Sequence, residues 1–273
     1  MIQKFADLHL HTAYSDGSYL PDELVAAALG AGLDIIAVTD HDSIIGVEPA
    51  IEAAAGVGLE VIAGTELSVR FNEEEIHVVG LFVDIHSETL VSSLDELRRK
   101  RQMRIIEIAE KLSRLQIRID PHAIIQKVGR GTVGRLHVAE QLLQRGITTS
   151  IAESFWKYLG DKAAAFVPKP EFPLEDACRM IHEAHGVAVL AHPGTVPDPD
   201  RIRRMADAGL DAIEAFYPSH DEAVTRAYID IARRFDLGVA GGSDCHGDMK
   251  DQVLIGRIKI PIVYVDDLRK RAK

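Results

Sequence analysis

The sequence predicts an α/β protein with a mainly parallel sheet. Short apolar runs of strand length alternate along the chain with helical patterns, which is the arrangement of repeated βα units. The length of 273 residues fits a single α/β barrel. The composition, with 47% hydrophobic and 27% charged residues, is that of an ordinary globular protein and excludes a disordered or low-complexity chain.

Seven apolar runs are predicted as strands. Asp34–Thr39 is a β-branched run typical of a buried strand. Ile76–Phe82 is predicted to run antiparallel, because the connection before it, Arg70–Glu75, is too short for a crossover helix. The seven predicted strands are Lys4–Thr12, Asp34–Thr39, Glu60–Ala63, Ile76–Phe82, Val187–Ala191, Asp211–Phe216 and Leu237–Ala240.

Helical patterns separate these strands. Pro21–Ala31 opens with a proline suited to a first helical position, carries acidic residues in its first turn and stops at Gly32. Further helices are predicted at Glu48–Ala55, Leu174–Ala184, Arg201–Ala208 and Glu222–Phe235.

A long helical stretch interrupts this rhythm. It begins with a strongly charged pattern and continues with three shorter ones, and no convincing strand follows until Val187. We therefore expect an α/β barrel formed by residues 1–91 and 171–273, with a helical insertion at residues 92–170. The helices predicted in the insertion are Ser93–Leu115, Pro121–Val128, Gly134–Arg145 and Ile151–Leu159.

Charge and cysteine content limit the partners and the compartment. The formal charge of −11 argues against a general duplex-DNA binder, which would act through counterion release. The two cysteines, Cys178 and Cys245, cannot form a disulfide scaffold and suit a reducing compartment. The N-terminal segment lacks the pattern of a signal peptide, and no apolar run is long enough to span a membrane. We expect a cytoplasmic protein.

Imidazole and carboxylate side chains cluster at the predicted strand ends. His9 and His11 lie two residues apart on one strand, so alternation places both rings on the same face. Active sites of α/β barrels are built from the carboxyl ends of parallel strands, so side chains at these ends are expected to meet at one mouth. The other residues so placed are Asp16, His41, Glu66, His77, His192, Asp244 and His246.

Two interpretations of this pattern compete. Each residue alone can be a polar loop residue, but that explanation is poor for nine imidazoles and carboxylates at equivalent places. We therefore predict a metal site. The donor set of nitrogen and oxygen without thiolate is compatible with Mn²⁺, Fe²⁺ or Zn²⁺.

The same residues carry a resemblance to a known family. The motifs resemble those of the PHP (polymerase and histidinol phosphatase) phosphoesterase superfamily. The helical insertion and the segment 134–139 resemble the YciV/TrpH branch, which includes 3′,5′-nucleoside bisphosphate phosphatases and RNA 5′-end exonucleases. The motifs are Asp7–Thr12, Ser15–Gly17, Thr39–Asp42, Gly64–Glu66, Ala191–Pro193 and Ser243–His246.

The resemblance implies a fold and a cofactor set. The fold would be a distorted (β/α)7 barrel with three divalent metal ions, Mn first, with Fe or Zn as alternatives. The implied ligand groups are His9, His11, Glu66 and Asp244 for one ion, Glu66, His77 and His192 for the second, and Asp16, His41 and His246 for the third.

The chemistry expected of such a centre is phosphomonoester hydrolysis. A metal-bridging hydroxide would attack phosphorus in line, and the ions would neutralise the equatorial oxygens. Glu66, Asp244 and Asp16 are candidate catalytic residues as well as ligands. The proton for the leaving group could come from Asp16, Asp42 or His220, and the sequence leaves that choice open. Asp7 and Asp40 are interpreted as carboxylates that orient the histidines.

Residues of the insertion are candidates for binding the rest of the substrate. Arg135 can form a bidentate contact with a phosphate, and glycines nearby let the backbone approach an anion. Ser243 lies beside the predicted metal ligands. Surface charge is the competing explanation for each basic residue. The other candidates, all in the insertion, are Arg130, Lys157 and His137.

Several functions remain open at this point. The leading hypothesis is release of the 3′-phosphate from nucleoside 3′,5′-bisphosphates, with a small phosphorylated substrate and no duplex DNA or membrane partner. Alternatives are a histidinol-phosphate phosphatase and a 5′-3′ exonuclease on short RNA. A non-catalytic metal-binding accessory module is an alternative of another class, and loss of ligands would be its sign. Amidohydrolase chemistry is disfavoured because no candidate carbamylated lysine lies at a strand end.

Overall fold

The computed structural model describes residues 4–129, 131–249 and 253–272. Within these ranges the strands form one sheet in the order β7-β6-β5-β4-β3-β2-β1-β8. The strands are β1 (Phe5–Leu10), β2 (Ile35–Val38), β3 (Glu60–Phe71), β4 (Glu74–Leu81), β5 (Val187–Leu190), β6 (Ala212–Phe216), β7 (Gly238–Gly241) and β8 (Ile260–Pro261).

The sheet is mixed and curls into a nearly closed barrel. Parallel pairs join β1 to β2, β2 to β3, β5 to β6 and β6 to β7. Strand β4 is antiparallel to both its neighbours, which confirms the predicted direction of this strand. Past the end of β7, Cys245 forms a parallel bridge with Leu10, and the His11 N–H donates to its carbonyl oxygen at 3.0 Å. The end of β1 thus meets the segment after β7.

Strand β3 differs from its prediction. It was expected to end at Ala63, but it continues to Phe71 and pairs with β4 over its whole second half. Parallel pairing with β2 stops at Ala63, and the antiparallel hairpin takes over. Asn72 and Glu73 form the two-residue turn, both with positive φ (47° and 66°), as a tight hairpin turn with the twist of its strands requires. Glu66 is therefore inside a strand rather than just past one.

Helices flank the sheet in the first compact unit, Met1–Ser93 and Phe172–Lys273. One apolar cluster fills the barrel interior around Leu8, Ile62 and Val189, and another packs helices against the outside of β1 and β2 around Leu24 and Ile36. The helices that lie wholly in this unit are α1 (Pro21–Gly30), α2 (Val47–Ala54), α7 (Leu174–Glu183), α8 (Pro199–Asp207), α9 (Glu222–Arg234) and α10 (Ile262–Arg271).

The second compact unit spans Leu94–Glu171, whereas the insertion was predicted at residues 92–170. It has its own apolar core, in which Ile105, Ile108 and Leu142 are buried. A π-helical turn covers Phe155–Leu159. Its helices are α4 (Pro121–Val128), α5 (Arg135–Gln144) and α6 (Ile151–Ser154), together with most of the long helix α3 (Glu88–Arg114).

The structure confirms the predicted α/β fold, in which the sheet forms a nearly closed barrel flanked by helices. Among the described residues, no helix is both long enough and apolar enough to cross a bilayer.

Candidate metal centre

The nine predicted side chains meet at the carboxyl end of the parallel strands. His9 lies in β1, Glu66 in β3 and His77 in β4, and the others follow strand ends. Glu66 is 1% exposed, and His9 and His11 are equally buried. Those placed just past a strand are His11 and Asp16 after β1, His41 after β2, His192 after β5, and Asp244 and His246 after β7.

Glu66 is the centre of this cluster. Its Oε1 lies 2.9 Å from His77 Nδ1 and 3.0 Å from His192 Nε2. Its Oε2 lies 3.0 Å from His41 Nδ1 and 3.3 Å from the Nε2 atoms of both His9 and His11. One carboxylate thus contacts five imidazoles.

Two further carboxylates complete the cluster. Asp244 Oδ1 lies 3.2 Å from His11 Nε2 and 3.7 Å from His9 Nε2. Asp16 Oδ1 lies 3.3 Å from His246 Nε2, and Asp16 Oδ2 lies 3.7 Å from His41 Nε2. The rings of His11 and His246 are stacked with centroids 4.1 Å apart. All nine side chains are therefore joined through short contacts.

Several of these close atoms are buried without a hydrogen bond. His9 Nε2, His11 Nε2, Glu66 Oε2 and Asp16 Oδ1 are in this state, although nitrogen or oxygen atoms of other side chains in the cluster lie 3.0–3.7 Å away. Ligands about 2.1 Å from a shared ion lie about 3.0 Å apart in an octahedron and about 3.4 Å apart in a tetrahedron. A buried polar atom without a partner is costly, and a bound cation would satisfy these atoms. The arrangement therefore fits a metal centre.

Among the residues that the structure describes, the side chains form three compact groups of possible metal ligands. One is His9, His11, Glu66 and Asp244, the same set that the resemblance implies for one ion. The others differ in part from the implied sets. His11 joins Asp16, His41 and His246, and His41 joins Glu66 and His77. His41 and His11 thus lie where two groups meet, and His192 contacts Glu66 without belonging to a compact group.

The electrostatics of the cluster are those of coupled buried charges. Burial by itself would raise the pKa of Glu66, but the surrounding imidazoles hold it well below its usual range. Burial would lower the pKa of His11, but the neighbouring carboxylates of Asp244 and Glu66 raise it to about 10. His41 behaves in the opposite way, because burial dominates and lowers its pKa to about 4. The carboxylates are therefore ionised at neutral pH, as metal ligands must be.

Glu214 is a residue that the sequence analysis missed. Its Oε1 lies 3.1 Å from His9 Nδ1, and its Oε2 accepts a hydrogen bond of 2.6 Å from the His192 backbone N–H. His192 has an unusual φ of 26°, so this bond helps to hold a strained backbone. A carboxylate that binds the second nitrogen of a ligating histidine fixes its tautomer and direction. The available signal was an acidic residue inside the buried strand Ala212–Phe216.

Tyr217 was also missed. Its hydroxyl donates to Asp244 Oδ2 at 3.0 Å, and its ring packs against His192 and His220 with centroids 5.7 and 5.5 Å apart. Burial and the nearby Asp244 raise the pKa of Tyr217, so it remains a hydrogen-bond donor. Tyr217 directly follows β6. Side chains just past the ends of parallel strands are expected at the mouth of the barrel, so the same reasoning would have identified it.

Asp7 and Asp40 accept hydrogen bonds from the segments that carry the ligands. Asp7 Oδ1 accepts from the backbone N–H groups of His9 and Ser243 at 3.3 and 2.9 Å. Asp40 accepts from the Thr12 backbone and hydroxyl, at 2.8 and 2.6 Å, and from the Ser15 hydroxyl at 2.6 Å. These bonds hold the backbone of the segments that carry the ligands, and a role of both carboxylates in orienting the histidines remains a prediction.

The two remaining candidates of the barrel lie close to the cluster. Ser243 is fully buried between Gly242 and Asp244, and its Oγ makes no hydrogen bond. His220 donates from Nδ1 to the Ala215 carbonyl at 2.8 Å, which leaves its buried Nε2 as the atom able to gain a proton. Their roles in binding and catalysis remain predictions.

The candidates of the insertion make contacts within their own unit. Arg135 donates to the Leu159 carbonyl at 3.1 Å and to Asp161 Oδ1 at 2.9 Å, and its guanidinium lies 5.7 Å from the Phe155 ring. Lys157 pairs with Glu153 at 2.5 Å. His137 Nδ1 accepts from the Gly134 N–H at 3.2 Å. Arg130 lies outside the described residues. A role for these side chains in substrate binding remains a prediction.

Comparison with known proteins places the chain among phosphoesterases. The family model of the PHP domain matches residues 7–155. The 5′-3′ exoribonuclease Rnm of Escherichia coli is 34% identical over 250 residues, which cover 88% of this chain and 84% of that protein. The 3′,5′-nucleoside bisphosphate phosphatase of Chromobacterium violaceum is 32% identical over 247 residues, which cover 88% and 86%.

A solved structure extends the likeness to the whole fold. A protein from Bifidobacterium adolescentis, described as a metal-dependent phosphoesterase, superposes with a TM-score of 0.87 at 28% identity. The match covers 98% of this chain and 96% of the other.

Proposed function

This chain belongs to the PHP family and is a metal-dependent phosphoesterase, and we propose that it breaks the bond between phosphorus and the 3′-oxygen of 5′-phosphorylated nucleotides. The membership confirms the resemblance seen in the motifs. On nucleoside 3′,5′-bisphosphates this reaction releases the 3′-phosphate. The buried atoms without hydrogen bonds around Glu66 support the metal centre that the reaction needs. The choice of bond is supported by the two relatives named as a 3′,5′-nucleoside bisphosphate phosphatase and a 5′-3′ exoribonuclease.

The same donor atoms would hold the metal ions. We propose three divalent ions, Mn²⁺ first, with nine protein ligands between them. The ligands are His9, His11, Asp16, His41, Glu66, His77, His192, Asp244 and His246.

Bound ions would supply Lewis acidity, which neutralises charge on phosphoryl oxygens and activates water. Three divalent ions carry +6 and the three ligating carboxylates −3, so the centre would attract a phosphate dianion although the chain carries −11.

The residues of this chain then divide the remaining work. The Asp16 side chain is 32% exposed, against 1% for Glu66 and 10% for Asp244, so Asp16 faces incoming solvent and would accept a hydrogen bond from the attacking water. We propose that His220 donates a proton from Nε2 to the leaving oxygen. Tyr217 and Glu214 would hold Asp244 and His9 in their ligating directions.

A second candidate function is removal of nucleotides from the 5′ end of short RNA. An exonuclease that leaves a 5′-phosphate breaks the same type of bond, and only the group on the far side of the phosphorus differs. Charge distribution favours this candidate. Residues 94–171 contain 15 Lys and Arg against 9 Asp and Glu, a formal charge of +6, so the remaining residues carry −17. Such asymmetry within a chain suggests binding of a polyanion.

The non-reacting phosphate of either substrate needs its own partners. We propose Arg135 for this role, with Arg130, Lys157, His137 and Ser243 as further candidates. A charge-assisted contact with phosphate contributes about 1.5–3 kcal/mol, so Arg135→Ala is expected to lower kcat/KM for a bisphosphate by about 10- to 150-fold. A substrate with only one phosphate, such as p-nitrophenyl phosphate, should be affected much less. Equal losses on both substrates would contradict the assignment.

The deciding experiment uses the Mn²⁺-loaded enzyme with a set of phosphate esters. Adenosine 3′,5′-bisphosphate, a 5′-phosphorylated tetranucleotide RNA, its 5′-hydroxyl counterpart and histidinol phosphate are compared by kcat/KM. We expect the bisphosphate and the 5′-phosphorylated RNA to be hydrolysed, with adenosine 5′-monophosphate as a product of the bisphosphate. Preference for histidinol phosphate, or no turnover of either nucleotide, would overturn the proposal.

We also propose a cytoplasmic location, where such nucleotides are present and where free thiols such as Cys178 and Cys245 persist.

A further inference from the structure

A cavity of about 400 Å³ opens directly beside the candidate metal centre. It lies between the β3–β4 hairpin, the segment after β5 and helix α8. His77 and His192, whose rings are 5.1 Å apart, line both the cavity and the metal cluster. A substituent on a phosphate held at the metal centre would therefore extend into this cavity.

The floor of the cavity is apolar. Leu190, Ile202 and Met205 are almost fully buried there, and Ile76 adds a partly buried aliphatic side chain. At the rim, Val196 is 82% exposed. A volume within about 300–1,000 Å³ and an apolar lining with a few polar groups are typical of small-molecule sites. The floor can therefore hold a flat ring system but offers no partner to a charged group.

The rim of the cavity is acidic. Glu74, Glu75 and Asp198 lie on it, and Arg201 is the only Lys or Arg among the described residues that line the cavity. Arg201 is already used, since its guanidinium lies 2.6 Å from Glu74 Oε2. A second phosphate of the substrate would meet net negative charge here. The cavity thus suits a neutral group, and the carboxylates can accept hydrogen bonds from exocyclic amino groups.

The wall on the side of β5 is held in place. The Tyr228 hydroxyl donates to the carbonyl oxygens of Pro193 and Gly194, at 3.1 and 3.0 Å. Tyr228 itself is buried and stacks on His220. These bonds fix the segment that carries His192 and the rim, so the cavity is formed before a ligand arrives.

We propose that this cavity is the site for the nucleobase of the substrate. The proposal rests on the proposed function, since it assumes that the ester is a nucleotide. The base is the neutral, flat part of such a substrate, and the acidic rim directs the second phosphate elsewhere. Binding energy from a group remote from the reacting bond can position the phosphate, so it should raise kcat/KM.

The test compares substrates with and without the base, and enzymes with an open and a filled cavity. Metal-loaded enzyme is assayed with adenosine 3′,5′-bisphosphate and with the abasic ribose 3,5-bisphosphate. We expect wild-type enzyme to prefer the base-containing substrate by about tenfold or more in kcat/KM. Ile202→Trp, which fills the floor, should abolish this preference by slowing only the base-containing substrate.

Two further variants keep the result interpretable. Ile76→Trp fills the cavity from a strand, where an aromatic residue is well tolerated, and serves if Ile202→Trp does not fold. Val263→Trp on α10, where residue 263 is 63% exposed, is the matched control and should keep the preference. Retention of the preference in a folded cavity-filling variant would overturn the proposal, and so would equal losses on both substrates.

A second, independent experiment changes the charge of the rim. Glu74→Gln releases Arg201 and makes the rim less acidic. If the base occupies the cavity, kcat/KM for the abasic bisphosphate should change by less than about twofold. A rise of about tenfold for both substrates would show that a phosphate enters the cavity instead. Equal hydrolysis of both bisphosphates by wild-type enzyme would contradict the base site but leave the proposed function intact. Failure to hydrolyse either would remove the function itself.

Discussion

Asp211 and Glu214 lie three residues apart around strand β6, and each contacts one imidazole and one backbone N–H. Asp211 Oδ2, at the amino end, lies 2.7 Å from His182 Nε2 and accepts from the Ala188 N–H at 2.8 Å. Glu214, toward the carboxyl end, makes the corresponding contacts with His9 Nδ1 and the His192 N–H. The two pairs have the same chemistry but different surroundings.

The difference lies in the second nitrogen of each histidine. The side chains of His182 and Asp211 are each about a quarter exposed, so water can reach and solvate the polar atoms of this pair. His9 and Glu214 are almost fully buried, and His9 Nε2 has no hydrogen bond, although Glu66 lies 3.3 Å away. One pair thus stabilises the fold, while the other aims a lone pair into a cluster. This agrees with the general division of α/β barrels into a stabilising amino face and a functional carboxyl face.

The largest effect is expected at the centre of the carboxyl end. Glu66→Gln keeps the side-chain volume but removes a charge that five imidazoles share. Loss of this ligand should lower kcat by about 100-fold or more, since contributions of this kind amount to several kcal/mol. Steady-state kinetics with Mn²⁺ measures it. A rate close to that of wild type would mean that Glu66 does not hold the metal ions.

The comparison itself is tested by matched substitutions in the two pairs. Glu214→Gln removes the charge behind His9 and should weaken metal binding by about 10- to 100-fold, the usual cost of losing such a support. Asp211→Asn makes the same chemical change at the amino end and should leave metal affinity unchanged. Competition with a chelator of known affinity provides the measurement. Equal effects of the two variants on metal binding would contradict the conclusion that only the carboxyl end of the barrel supports the metal ligands.

Metal removal should appear in stability as well. Ions that bind only the native state stabilise it by about 2.7 kcal/mol at one hundred times the dissociation constant. For a domain of this size that corresponds to a rise in Tm of about 5–10 °C. Thermal unfolding with Mn²⁺ and with a chelator should show this shift in wild type and in Asp211→Asn, but a smaller one in Glu66→Gln. A Tm independent of metal in wild type would argue against a buried centre.

The smallest expected effect belongs to the amino-end pair. Asp211→Asn leaves His182 and the Ala188 N–H with a weaker acceptor, which should cost about 1–3 kcal/mol of unfolding free energy. Urea unfolding of the metal-free variant measures the loss, and kcat of the loaded enzyme should stay near the wild-type value. A large fall in kcat without loss of stability would show that this end also serves the reaction.

The sequence by itself determined the chemistry of the site and the order of the elements. Alternation placed His9 and His11 on one face, and the pattern of apolar runs separated by helices identified strands β1 to β7, including the reversed β4. Both signals are local, because side-chain direction in a strand and the length of a connection depend only on neighbouring residues. The donor set of the candidate site followed from residue types at strand ends.

Only the tertiary structure decided how these parts meet. The extension of β3 to Phe71 depends on its hairpin with β4, and the short β8 depends on pairing with the distant strand β1. Local propensity encodes neither pairing. The contact of Glu214 with His9 spans 205 residues, and the cavity beside His77 and His192 is formed by three separate segments. Contacts of this kind arise when the barrel closes. The contacts that support the ligands and the walls of the cavity were therefore identified only in the folded chain.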